Sequence, residues 1–244
     1  MVNAVPYFYP LLLIGPHIAE AERDYAWPLF VLNEAYRATG DRKYLVAGAQ
    51  VVKHLIAWWQ QRANHLVNGK VVGRNDWRQG TGYWTMYPHC DNCPAGYNGC
   101  NPWMAGPLLG SLIQFYEYDA DTPQVDRQLL QAMLLQCMNY VVKYGWESDK
   151  GYFVYCESAR DTDGGMNQLL FPLAYLGRMV KNGGVPHPEH YDTSGQWLTI
   201  AKAAYDDSRS VRWRGCTSSG FGGYECIWPA DFWAIMKELF SSKN

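Results

Sequence analysis

The chain has 244 residues, 48% of them hydrophobic and 18% charged, and its net charge is −2. So much apolar surface excludes a disordered chain, and so small a charge excludes nucleic-acid binding driven by phosphate neutralisation. Aromatic residues reach 15%, with 11 Trp and 18 Tyr. Trp and Tyr join an apolar body to a polar handle, so the surplus suits either a Trp-rich core or stacking platforms for a flat-faced ligand.

The first apolar run, Tyr7 to Gly15, is interrupted by Pro10 and is far short of the roughly 20 residues that cross a bilayer. It has neither a basic leader nor a small-residue cleavage site, as a signal peptide requires. The chain therefore reads as soluble with no membrane segment. A secreted protein whose signal had been removed would read the same.

A helical period opens at about Tyr25 and runs to Arg37, with Leu29, Phe30, Leu32, Ala35 and Tyr36 apolar. Thr39-Gly40-Asp41 breaks it. A second helix is expected from Lys43 to Arg62, with Leu45, Ala49, Val52, Leu55, Ile56 and Trp59 on one face. Gly40 ends the first helix and Asp41 caps the next, which makes an αα-hairpin. The unit recurs as Trp103 to Tyr118, a turn at Asp119 to Pro123, and Val125 to Tyr144. It recurs again as Met166 to Val180, a loop from Lys181 to His190, and Tyr191 to Asp206. A last helix is expected from Glu225 to Phe240. Trp27-Pro28, Pro102-Trp103 and Trp228-Pro229 put proline near the first turn, where its missing N–H costs nothing.

The expected fold class is all-α, one domain of repeated αα-hairpins over residues 1–244. Long polar and aromatic loops, Ala63 to Asn101, Gly145 to Gly165 and Ser208 to Gly223, separate the units. In such an array the loops before each first helix fall on one end, and long loops in a compact domain are usually functional. Short β-ribbons are expected near Gly69 to Arg74 and Gly151 to Cys156.

The turn Ala35-Tyr36-Arg37-Ala38-Thr39-Gly40-Asp41-Arg42-Lys43-Tyr44-Leu45 and the lead Asn101-Pro102-Trp103-Met104 into Leu112-Ile113-Gln114-Phe115-Tyr116-Glu117 resemble those of α/α-toroid proteins. These are the six-hairpin glycosidases and the related toroidal polysaccharide lyases. The resemblance covers most of the chain as architecture. It implies a carbohydrate ligand and a partial or complete toroid. Three hairpins and one further helix are fewer than a six-hairpin toroid needs, so the chain reads as an incomplete toroid, a fragment, or a half completed in a homo-oligomer.

Glycoside hydrolysis needs two carboxylates across a sugar, one protonated and one ionised. The loop Glu157-Ser158-Ala159-Arg160-Asp161-Thr162-Asp163 is one source. Asp24 and Glu225 stand at helix starts and are candidate partners, although Asp24, Asp163 and Glu225 also suit helix caps or dipole partners. Asp161, Asp163, Asp24 and Glu225 are the expected catalytic set. Trp77, Arg78, Tyr83, Trp84, His89, Trp103, Glu157, Arg160 and Tyr224 are the expected substrate-binding residues.

The rival chemistry is β-elimination on a uronate, with Tyr83 or His89 as base and Asn75 and Arg78 on the carboxylate. The near-neutral charge argues mildly against so anionic a substrate. A third reading is a non-catalytic glycan-binding or scaffolding domain. No cofactor is required. His89, Cys90, Cys93 and Cys100 fit a structural zinc, while the cysteines fit equally a disulfide from one of them to Cys156, Cys216 or Cys226, or free thiols. Cys137 reads as a buried small hydrophobe, and His187-Pro188-Glu189-His190 as an ordinary turn. The aromatics divide by position. Phe30, Trp59, Phe115, Tyr140 and Trp197 fall on helix faces, whereas Trp77, Tyr83, Trp84, Tyr87, Tyr97, Tyr152, Tyr155, Phe221 and Tyr224 fall in loops.

Overall fold

A computed structural model of the chain describes residues 22–61, 66–67, 70–71, 101–154, 167–185, 191 and 195–208. Helix accounts for 77% of them. In chain order the elements are α1 (Glu22–Thr39), α2 (Lys43–Gln61), β1 (Leu66–Val67), β2 (Lys70–Val71), α3 (Pro102–Tyr118), α4 (Arg127–Gly145), β3 (Trp146–Glu147), β4 (Tyr152–Phe153), α5 (Asn167–Lys181) and α6 (Gln196–Ser208). The all-α class and the three expected hairpins are present. The expected helix from Glu225 to Phe240 lies outside the described residues. Among the described residues no helix is long and apolar enough to cross a membrane.

Local chemistry sets the turns. Gly40 takes φ +69°, and its N–H reaches Tyr36 O at 2.7 Å. The Thr39 hydroxyl donates back to Ala35 O, and Asp41 Oδ1 accepts the Lys43 N–H at 3.0 Å. The glycine closes α1 and the aspartate caps α2, as the sequence pattern requires. In the second turn Asp126 Oδ1 accepts from the N–H groups of Gln128 and Leu129. The helix therefore starts at Arg127 rather than Val125, which is buried in the core instead. In the third hairpin α6 starts at Gln196, not Tyr191. Gly195 holds φ +66°, which a right-handed helix cannot continue through, and Tyr191 packs into the core before it.

The first helices of the hairpins, α1, α3 and α5, form one layer, and α1–α3 is the most extensive packing among the described elements. They run parallel. Glu22 meets Asn101 at the starts of α1 and α3, and the Tyr36 and Tyr118 rings stand 5.5 Å apart at their ends. Gly110 lies beside Phe171 and, farther along, the Tyr175 hydroxyl donates to Glu117, so α5 follows α3 in the same direction. The returning helices α2, α4 and α6 pack behind their partners.

A contiguous core joins the two layers. The middle hairpin has neighbours on both sides, so α3 and α4 are buried nearly all round. Trp59, Phe115, Tyr140 and Trp197 are core residues as expected, whereas Phe30 is only half-buried. Cys137 is a buried free thiol, and burial pushes its pKa up.

Two further expectations about local structure need correction. The helix of the first hairpin starts at Glu22, not Tyr25, so Pro28 lies well inside it. Its first turn is acidic, with Glu22 and Asp24, which the N-terminal dipole stabilises. Pro107 and Pro172 lie at a similar depth in α3 and α5. Each such proline removes the helical bond to the carbonyl four residues back. The ribbons also sit differently. Leu66 pairs with Val71 and Val67 with Lys70, while Trp146 pairs with Phe153 and Glu147 with Tyr152. The second ribbon therefore begins directly where α4 ends rather than at Gly151.

Candidate functional site

The end of the molecule where α1, α3 and α5 begin is the candidate site. Glu22, the first residue of α1, is fully buried. Its Oε1 accepts the backbone N–H of Asn101 at 3.3 Å. A carboxylate at a helix start is favoured by the unpaired N–H groups there. Asn101 is the N-cap of α3, and its carbonyl accepts from Met104 and Ala105 at 2.9 Å each. Its side chain does not cap the helix.

The next residue, Pro102, is clamped by the end of α4. A Cβ on Gly145 would come within 2.7 Å of Pro102 Cγ, so only glycine permits the contact. Gly145 O then accepts the Val154 N–H at 2.8 Å, and Phe153 lies against the same glycine. The β3–β4 ribbon is thereby fixed beside the α3 start. Its last described residue, Val154, is buried.

A second cluster holds the α1 start to α2. The Tyr25 ring stacks on His54 at 5.8 Å with 16° between planes, and Trp58 packs at a tilt on both. The Tyr25 hydroxyl lies 3.5 Å from His54 Nε2. Half-burial holds the imidazole below its ordinary pKa, so it stays neutral at pH 7.

Of the residues expected from the sequence, the described portion includes Asp24 and Trp103. Asp24 is exposed in the first turn of α1, and Trp103 is half-buried in the first turn of α3. The two lie at the starts of parallel neighbouring helices. Asp161, Asp163, Glu225, Trp77, Arg78, Tyr83, Trp84, His89, Glu157, Arg160 and Tyr224 lie outside the described residues, as do Asn75, Cys90, Cys93, Cys100 and the turn His187 to His190. Among the described residues no group of three or more His, Cys, Asp or Glu is placed to hold a metal.

No family model, curated protein or solved structure matches the chain. The site is therefore read from its own chemistry. Sequence reasoning missed Glu22, Tyr25, His54 and Trp58, and took Asn101 only as part of a helix lead. Glu22 and Asp24, three residues and one residue ahead of the assumed helix start at Tyr25, were the available signal for Glu22. The Tyr25–His54 pairing joins residues 29 apart and leaves no local pattern to read.

Proposed function

We propose that the protein is a carbohydrate-active enzyme, a glycoside hydrolase on a poly- or oligosaccharide, whose three hairpins form an arc of an α/α toroid. One observation carries this reading. The two described flanks of the acidic loop, Val154 and the start of α5, both stand at the end where Glu22, Asp24, Asn101 and Trp103 gather. A carboxylate from Asp161 or Asp163 would work against one from the α1 start or from Glu225. One serves as acid, the other as base or nucleophile. Trp103, with Trp77, Trp84 and Tyr224, would supply stacking surface for sugar rings.

The test is incubation with a polysaccharide panel while following reducing ends and the ultraviolet absorbance of unsaturated products. Reducing ends alone mean hydrolysis. Both signals together mean β-elimination and replace this reading with the lyase. Binding without either signal would sink the enzyme and leave a glycan-binding domain.

A further inference from the structure

Beyond the end of α5 the chain runs Asn182-Gly183-Gly184-Val185. The first three of these residues are exposed, and Val185 is buried in the core. The turn closes α5 through its backbone. The Asn182 N–H donates to Arg178 O at 3.0 Å, that of Gly183 to Val180 O at 3.0 Å, and that of Gly184 to Met179 O at 3.3 Å. Gln131 of α4 holds the same turn. Its Nε2 donates to Gly184 O at 3.0 Å and to the Met179 sulfur at 3.3 Å.

An asparagine side-chain amide carries an electrophilic carbon, Cγ. The backbone nitrogen of the following residue can close a five-membered ring on it, and a Cβ on that residue crowds the approach. Among the described asparagines, Asn33 precedes Glu34, Asn101 precedes Pro102, Asn139 precedes Tyr140 and Asn167 precedes Gln168. Asn33 and Asn101 are also buried, and Pro102 has no N–H to lose. Asn182 is exposed and precedes glycine. A Cβ added at Gly183 would meet nothing within 4 Å, so the space around the turn is open. Hydrogen bonds at a helix terminus open at almost no cost. Arg178 and Lys181, both exposed in the last turn, bring positive charge that favours an anionic backbone nitrogen.

We infer that Asn182 is a site of spontaneous deamidation through a succinimide. Solvent base removes the Gly183 N–H proton once its bond to Val180 O opens. The nitrogen then forms a bond to Asn182 Cγ, and Nδ2 leaves as ammonia. Water opens the ring. Attack at Cγ gives aspartate. Attack at the Asn182 backbone carbonyl carbon gives isoaspartate, whose main chain runs through Cγ and is one methylene longer. The balance is one water consumed and one ammonia released. The new carboxylate faces the last carbonyls of α5, where the helix dipole disfavours negative charge. The added methylene displaces Gly183 and Gly184, and with them the Gln131 bond and the Val185 anchor. The turn therefore couples its own chemical ageing to the packing of α5 on α4, independently of any saccharide chemistry.

The experiment is incubation of the full chain at mildly alkaline pH, with peptide mass spectrometry of the segment holding Asn182. Folded and denatured chains are followed in parallel. The peptide should gain the mass of an amide turned to an acid, as two separable products with isoaspartate in excess. Asn182→Gln should lose the gain. Gln131→Leu frees Gly184 O and should speed the gain about fivefold, as loss of one hydrogen bond holding the turn closed predicts. Aged wild type should melt below fresh protein and below Asn182→Asp, which carries the charge without the added methylene.

A gain at Asn182 in the denatured chain alone overturns the inference. Aspartate without isoaspartate overturns the succinimide route. An unchanged rate in Gln131→Leu overturns the control by the turn. Aged protein that melts together with Asn182→Asp overturns the coupling to α4.

Discussion

The two ends of the helical layer cap their helices differently. At the turn end, side chains are used for local order. Asp41 and Asp126 cap helices, Asp119 Oδ2 accepts from Gln124 and Val125, and Arg42 reaches across to Thr122 O. At the helix-start end, a carboxylate and an amide are buried together, and the amide side chain is left without a bond. Both ends leave a buried side-chain atom without a bond, Asp119 Oδ1 at the turn end and the Asn101 amide at the start end, so the difference lies in the caps: the turn end supplies side-chain acceptors to its helix starts, and the start of α3 has none. Natural proteins break local rules of this kind mainly at functional sites.

The contrast can be broken from either side. The largest effect is expected for Asp161→Asn combined with Asp163→Asn, which should lower saccharide cleavage by about 100-fold or more if the acid–base pair is correctly placed. An unchanged rate would refute the carboxylate assignment. Next comes Gly145→Val. Its Cβ would collide with Pro102 at 2.7 Å, so it should destabilise by about 1–3 kcal/mol, as overpacking does.

Asp126→Ala tests the turn end. Loss of its two backbone acceptor bonds should cost about 1 kcal/mol in denaturant unfolding, with saccharide binding untouched. A change in binding there would erase the distinction between the ends.

The smallest effect concerns pH. His54 has a folded pKa below its unfolded value, so the unfolded chain binds more protons as pH falls. Its stabilising contribution is complete above the unfolded value of about 6.5 and is lost as pH falls through the folded pKa. Wild type should thus lose more stability than His54→Gln between neutral and mildly acidic pH. Equal slopes in melting temperature against pH would show that half-burial between Tyr25 and Trp58 does not perturb this histidine.

Much of the scaffold was legible because its signals are short-range. The periodicity of Leu45, Ala49, Val52 and Trp59 marks α2, and Thr39-Gly40-Asp41 contains both the stop of one helix and the cap of the next. The α1 boundary was harder. Trp27-Pro28 looks like a helix start, but proline deeper in the helix is a shared feature of α1, α3 and α5. Its alignment across the three hairpins was visible in the sequence as Pro28-Leu29, Pro107-Leu108 and Pro172-Leu173. The acidic loop and the aromatic loop were legible as composition. Their described flanks belong to one end because the hairpins stack in parallel, which periodicity by itself does not encode.

The sequence by itself determined the helical hairpins, their caps and the apolar faces that pair them. These depend on residues within a turn or two of one another. Only the tertiary structure decided that Glu22 meets Asn101 across 79 residues, that Gly145 must stay small beneath Pro102, and that one buried amide keeps its bonds unspent. Burial and hydrogen-bond satisfaction are properties of the packed chain. Asn33, inside α1, and Asn101, at the start of α3, differ because packing set the Ser111 carbonyl beside the Nδ2 of one and no partner beside the Nδ2 of the other.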